Sequence, residues 1–250
     1  MDGDLLVNLY STMDKQPIIF RDLGVMDYQS AWDYQEKLLQ ENVKKKSLVY
    51  SQESGVNHLL PTTNHYLLFV EHTPVYTLGK SGNKENVLLD DDELKENNIQ
   101  FFNTNRGGDI TFHGPDQLVG YPILDLEKFY TDIGKYLRNL EEVIILTMGE
   151  YGIKGERSTG ETGVWIQPGV PGGERKICAI GVRCSRWITM HGFAFNVNTD
   201  LSYFNHIVPC GIADKQVTSL EKELGYRADI EEVKRKVKKY FEKVFDAEII

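Results

Sequence analysis

Two stretches carry the 3.6-residue spacing of an amphipathic helix. Between Asp132 and Tyr151, the residues Ile133, Tyr136, Leu137, Leu140, Val143, Ile144 and Thr147 fall on one face. Between Asp229 and Phe245, the residues Ile230, Val233, Val237, Tyr240, Phe241 and Val244 do the same, and Lys234, Arg235, Lys236, Lys238 and Lys239 lie elsewhere on what reads as a solvated basic face. A third helix is predicted after Asp27, a residue type that caps helix N-termini. Its apolar face is Tyr28, Ala31, Tyr34, Leu38 and Val43, and Lys44–Lys46 close it, cations being favourable at a C-terminus. Strand patterns fall at Pro17–Leu23, His65–Val70, Val75–Leu78, Thr162–Gln167, Lys176–Arg183 and Trp187–Asn198. The second and third read as one strand interrupted by a turn at Pro74. Lys80–Asn86 reads as a loop and Leu88–Asn98 as a short acidic surface helix. Strands and helices come in clusters and not in alternation, which predicts an α+β layer and not a doubly wound sheet. Residues 1–16 are polar and patternless, an N-terminal arm before a single domain at 17–250.

A chain of 250 residues with 41% apolar side chains can bury a sizeable core. Its net charge of -9 argues against a nucleic-acid protein, so docking of any acidic partner needs a local basic patch. Lys80, Lys84, Arg138, Arg175, Arg183 and Arg186 are the candidates. No run approaches the roughly 18 apolar residues of a membrane span, and no leader pattern opens the chain, so a cytoplasmic location is expected. The cysteines Cys178, Cys184 and Cys210 are odd in number and wrongly spaced for a zinc knuckle, which favours free thiols. The six histidines show no ligand spacing, and no metal or cofactor is expected.

The densest chemistry lies in Arg106–Pro122, RGGDITFHGPDQLVGYP. Glycines let a backbone approach a ligand closely, arginine supplies a fork of donors, and His113 supplies a group that titrates near neutrality. The second locus is His206–Leu220, where Cys210 stands in a Pro-Cys-Gly frame. Cys178 in an apolar strand and Cys184 at a strand end read as inert. A thiol with a free pKa near 8.5 needs a neighbouring cation to ionise at neutral pH, and Lys176, Lys215, His113 and His206 are the candidates.

RGGDITFHGPDQLVGYPILDL, RKICAIGVRCSRWITMHGFAFNVNTDL and FNHIVPCGIADKQVTSL, in that order, resemble the three signature blocks of bacterial octanoyltransferases, the lipoyl(octanoyl) transferases of lipoate biosynthesis; the similarity covers about residues 17–245. The resemblance implies the fold of biotin- and lipoate-protein ligases, a mixed sheet flanked by helices with the acyl chain in a tunnel. It implies transfer of an octanoyl group from octanoyl-acyl carrier protein to a lysine of a lipoyl domain, in 2-oxoacid dehydrogenases or the glycine cleavage H protein. By the same resemblance Cys210 is the nucleophile and Lys176 its activator. The substrate walls would be Arg106, Gly107, Gly108, Asp109, Ile110, Thr111, Phe112 and His113, with Ala179, Ile180 and Gly181, and Gly192, Phe193 and Ala194. Phe112 stands where the family commonly has tyrosine. Asp116 puts a Cβ and a charge where it commonly has glycine. The other readings are an ATP-dependent lipoate-protein ligase, a catalytically silent carrier-binding module, and a hydrolase built from Cys210 and His113.

Overall fold

The computed structural model describes residues 15–51, 62–208 and 216–250. β1 (Gln16–Met26) leads into α1 (Tyr28–Ser51), and Asp27 caps the helix as its sequence suggests, its carboxylate accepting from the Ser30 N–H at 2.9 Å. β2 (His65–His72) and β3 (Val75–Leu78) follow. They are not one interrupted strand: the Thr73-Pro74 corner moves the chain from one sheet into another. α2 (Asp91–Glu96) is shorter than its acidic stretch predicts, because Asn97 caps it and Asn98 turns the chain at a positive φ of 53° towards β4 (Gln100–Asn103). β5 (Ile110–His113) and β6 (Gln117–Ile123) come next, and α3 (Ile133–Gly149), β7 (Val164–Ile166), β8 (Arg175–Ser185) and β9 (Ile188–Asn196) match the sequence patterns. The C-terminal part is β10 (Gln216–Val217), α4 (Leu220–Leu224), α5 (Ile230–Phe245) and β11 (Ala247–Ile249).

Among the described residues the large sheet runs β10-β8-β9-β6-β2-β1-β11, with β7 also on β8, and the small sheet runs β4-β3-β5. The large sheet is mixed: β1 is parallel to β2 and β11, while β2, β6, β9 and β8 are successively antiparallel. Both its faces are covered, so β2 and β6 read as continuous apolar runs. Leu67, Phe69, Phe193 and Phe195 pack towards α3 and α5, with Tyr136, Leu140, Val233 and Phe241. On the other face Tyr66, Leu68, Val119, Tyr121 and Met190 meet Ala31, Leu38 and Leu39 of α1. The small sheet has its own core around Tyr76, Leu78 and Phe112.

Two lysines are not where helical spacing alone puts them. α1 continues past Lys46 to Ser51, so Lys46 does not close it. Its Nζ is buried 2.9 Å from Asp125 and 2.8 Å from Glu127, and it donates to the Arg186 carbonyl. Lys234 of α5 is only 7% exposed and bridges Asp22 and Glu231, so the basic face is only partly solvated. Both are charges withdrawn from water and held by carboxylates. Breaking such a pair leaves a buried charge uncompensated, so Lys46→Ala is expected to cost about 3 kcal/mol. The loss would be read as a lower urea midpoint at unchanged slope, and a loss under about 1 kcal/mol would mean that water reaches Asp125.

Candidate active site

β8 and β9 pair Ala179 with Ala194 and Gly181 with Gly192. Four small side chains in two facing pairs leave space above the sheet. Val119 and Tyr121 of β6, Tyr28 at the start of α1, and Ile110, Thr111 and His113 of β5 enclose this space as a cavity of about 270 Å³. Ile180, Phe193, Arg106, Gly108, Asp109, Gly160, Thr162 and Phe204 also line it, and Lys176 and Val217 lie at the end where β10 meets β8. Thus most of the residues expected in the substrate walls come together. Gly107 and Phe112 are not in the lining. β5 alternates, and Phe112 faces the small-sheet core, its ring stacked 4.4 Å from that of Tyr203, where a tyrosine hydroxyl would need a partner.

Arg106 orders the glycine loop. It is buried, its Nε and Nη2 donate to Thr77, and its Nη1 donates to the Gly107 carbonyl at 3.0 Å. The loop rests on β8, where the Gly107 N–H donates to the Val182 carbonyl at 2.9 Å. A Cβ on Gly181 would come within 2.7 Å of the Gly107 carbonyl oxygen, so only glycine allows this contact.

His113 does not titrate near neutrality in this setting. Gln117 Nε2 donates to the Phe112 carbonyl and to Asn196 Oδ1, which leaves its Oε1 to accept from His113 Nδ1–H at 2.9 Å. The Thr77 hydroxyl accepts from Arg106 and therefore donates to His113 Nε2 at 3.3 Å. Burial, then His72 and Arg106, hold the His113 pKa well below the usual imidazole range. His72 is alike: Nδ1 donates to the Met26 carbonyl, Nε2 accepts from the Tyr121 hydroxyl, and burial lowers its pKa to about 4. Tyr28 stacks on His113 with ring centroids 6.0 Å apart, and its pKa is pushed by burial up to about 12.

A line of amides continues from His113 towards Lys176. Asn196 Nδ2 donates to the Thr218 carbonyl at 3.0 Å, and the Thr218 N–H donates to the Lys176 carbonyl at 2.9 Å. The neighbouring Arg175 forks onto Glu223 with two 2.6 Å bonds. The Lys176 ammonium is 4.5 Å from the centre of the Trp165 ring, a cation–π contact. Lys176 is half-buried and lines the cavity, unlike an ordinary surface lysine.

Cys210 lies outside the described residues, as does Lys215. On its N-terminal side the Val208 N–H donates to the Asn86 carbonyl, and on its C-terminal side Gln216 and Val217 pair with Arg175 and Lys176. Cys178 is fully buried and its thiol pKa is pushed up by burial; Cys184 is half-buried and pushed up for the same reason. Asp116 takes a positive φ of 59°, a conformation aspartate visits more readily than most residues. Its carboxylate holds Arg227 at 2.8 Å and its carbonyl accepts from the Asn198 N–H. Half of the expected basic patch is engaged in ion pairs, since Arg138, Arg175 and Arg183 are paired with Glu141, Glu223 and Glu36. Sequence reasoning missed Tyr28 and His191. The one available signal for His191 was a lone imidazole inside the apolar run Ile188–Phe195.

The comparisons agree with this geometry. Residues 27–242 match the family model described as the lipoyl protein ligase A/B catalytic domain. The chain is 58% identical over 230 residues to the octanoyltransferase of Christiangramia forsetii, covering 92% of this chain and 96% of that one. It is also 58% identical over 234 residues to the octanoyltransferase of Flavobacterium johnsoniae, covering 93% and 98%. Among solved structures, the bipartite lipoate protein ligase of Thermoplasma acidophilum superposes with a TM-score of 0.62 at 18% identity, covering 95% of this chain and 88% of that one. A lipoate-protein ligase A bound with ATP gives 0.63 at 16% over the same shares, and these two likenesses speak for the fold. No helix among the described residues is long and apolar enough to cross a membrane. The chain belongs to the octanoyltransferase family, acyltransferases of protein lipoylation built on the lipoyl protein ligase A/B catalytic domain.

Proposed function

We propose that the reaction runs through an acyl-thioester on Cys210, with octanoyl-acyl carrier protein as donor and a lysine of a lipoyl domain as acceptor. Two carrier proteins cannot occupy one small site together, so a covalent halfway point separates their visits. The Cys210 thiolate attacks the donor thioester carbonyl, the carrier's thiolate leaves and takes a proton, and the acyl chain lies in the cavity. The acceptor ε-amine then attacks the Cys210 thioester, an amide forms, the amine gives up a proton and the cysteine is regenerated. The first step exchanges thioester for thioester, and the second, to an amide, supplies the drive. Lys176 stabilises the thiolate by charge and exchanges the proton. Arg106, Gly108, Asp109–Thr111, His113, Ala179–Gly181 and Gly192–Ala194 form the acyl walls, and the N–H groups near Ala179–Gly181 and Cys210 serve the developing oxyanion. The acceptors are the lipoyl domains of 2-oxoacid dehydrogenases and the glycine cleavage H protein, met by one catalytic domain at 17–250.

One observation carries the reading: a cavity floored by facing alanines and glycines has Lys176 at one end, where β10 brings the chain back six residues after Cys210. A hydrolase built on Cys210 and His113 is disfavoured, because both ring nitrogens of His113 are engaged within the protein. Intact mass after incubation with octanoyl-acyl carrier protein and no acceptor is expected to show one octanoyl adduct. It should be absent in Cys210→Ala and present in Cys178→Ala and Cys184→Ala. An adduct on Cys210→Ala removes the assignment. Adduct formation from free octanoate and ATP instead would point to the ligase chemistry.

A further inference from the structure

The acyl-transfer reading leaves one end of the cavity unexplained. β8 pairs Val182 with His191, one step past the Gly181–Gly192 pair, so His191 lies at the end remote from Lys176. Val182 is six positions along β8 from Lys176, about 20 Å of strand. His191 lines the cavity and is 1% exposed. Its Nε2 lies 2.8 Å from Asn105 Oδ1, which only accepts, so the ring proton is on Nε2 and Nδ1 is an acceptor. That Nδ1 has no hydrogen-bond partner among the described residues. Burial, then Arg106 and Arg183, lower the ring's pKa to about 3, so Nδ1 stays an acceptor at neutral pH. The ring is held by its surroundings: the His191 N–H donates to Gln35 Oε1 at 2.9 Å, and Trp32 meets it edge-on at 6.0 Å. The Gln35 amide is fully buried, and its Nε2 likewise lacks a partner. The unmatched acceptor is therefore on the His191 ring and the unmatched donor on Gln35, the side chain whose Oε1 takes the His191 backbone N–H, and a hydroxyl is a group that can both donate and accept.

We propose that this end is a hydroxyl subsite, so that the enzyme also transfers medium-length acyl chains carrying an ω-hydroxyl, the hydroxyl donating to His191 Nδ1 beside the Gln35 amide. The inference rests on the cavity being the acyl site. A purely apolar pocket turns away an isostere that adds a hydroxyl by about 10²-fold, because the group loses water and gains nothing. A waiting acceptor removes that penalty.

The test compares kcat/KM for thioesters of octanoate, 8-hydroxyoctanoate, 10-hydroxydecanoate and 8-methoxyoctanoate, the last having no donor. The wild type is expected to use at least one hydroxylated chain within about tenfold of octanoyl and to reject the methoxy chain by about 10²-fold. In His191→Asn, whose side chain suits the positive φ of 58° but withdraws the ring nitrogen, the hydroxyl-to-octanoyl ratio should fall about tenfold. A ratio divides out any general loss in the variant, and the methoxy comparison needs no variant. If octanoyl is transferred while both hydroxylated chains are rejected as strongly as the methoxy chain, the polar pair holds only internal water and the subsite is overturned. If octanoyl itself is not transferred, the acyl-site reading falls and the subsite with it.

Discussion

Stability is expected to hold from pH 8 to about 7 and then fall steeply, leaving the protein unfolded near pH 4.5 to 5. Four histidines are buried in neutral form. His65 and His72 have pKa values lowered to about 4, His191 to about 3, and His113 well below 6.5, burial being the leading cause in each. A depressed histidine favours the neutral folded state, so its contribution is complete above the unfolded value of 6.5. It is lost as pH falls from there towards the folded value, because the unfolded chain takes up the proton and the native one cannot. Each such group costs about 1.4 kcal/mol per pH unit inside that window, and four acting together approach about 5 kcal/mol per unit. A domain has only about 5–15 kcal/mol in total. Carboxylates add little above pH 5, because their unfolded values lie near 4. Urea unfolding at half-unit steps measures the slope, and His72→Gln should lower it by about one proton whatever it does to the midpoint. A flat profile between pH 7 and 5 would mean that these imidazoles take up protons in the native state.

The legible parts of this chain were those decided locally. α3 and α5 follow from their apolar spacing, and Asp27, Asp132 and Asp229 cap helices where a cap was expected or implied. β10 and β11 were not legible: two and three residues carry no period, and both exist only as parallel additions to strands far away in sequence. The run from His65 to Leu78 showed two apolar segments and a proline, but which sheet each segment joins is settled by pairing with β6 and β5. Lys46 has the same lesson in charge, since its burial is set by Asp125, 79 residues on. For the site, the glycine loop stood out in the sequence, while the small residues of β8 and β9 entered only through the family resemblance. The neutral state of His113 did not stand out, because it depends on Thr77, Gln117 and Arg106 closing around the ring.

Replacing Lys176 is expected to give the largest effect on turnover and to separate the two roles proposed for it. β8 fixes its backbone between Trp165 and Val217, and its ammonium sits over the Trp165 ring, a place where a guanidinium can also stack. Lys176→Arg therefore keeps a positive charge at that end of the cavity. If charge is what keeps Cys210 ionised, the arginine variant should retain a thiol that alkylates readily at neutral pH. Arginine stays charged under all these conditions, so any step in which residue 176 must give up and regain a proton is lost. General acid–base help is worth about 10²–10⁴-fold, and that is the expected fall in kcat for Lys176→Arg. Lys176→Ala should lose both, with the Cys210 alkylation midpoint moving up towards the free thiol value near 8.5. The measurement is the pH dependence of alkylation in a Cys184→Ser background. Cys178 can stay, because it is fully buried and its thiol pKa is pushed up. An unmoved curve in Lys176→Ala would remove lysine as the activator. His113 could not replace it, being neutral with both nitrogens engaged, so the exposed His206 would be the next residue to change.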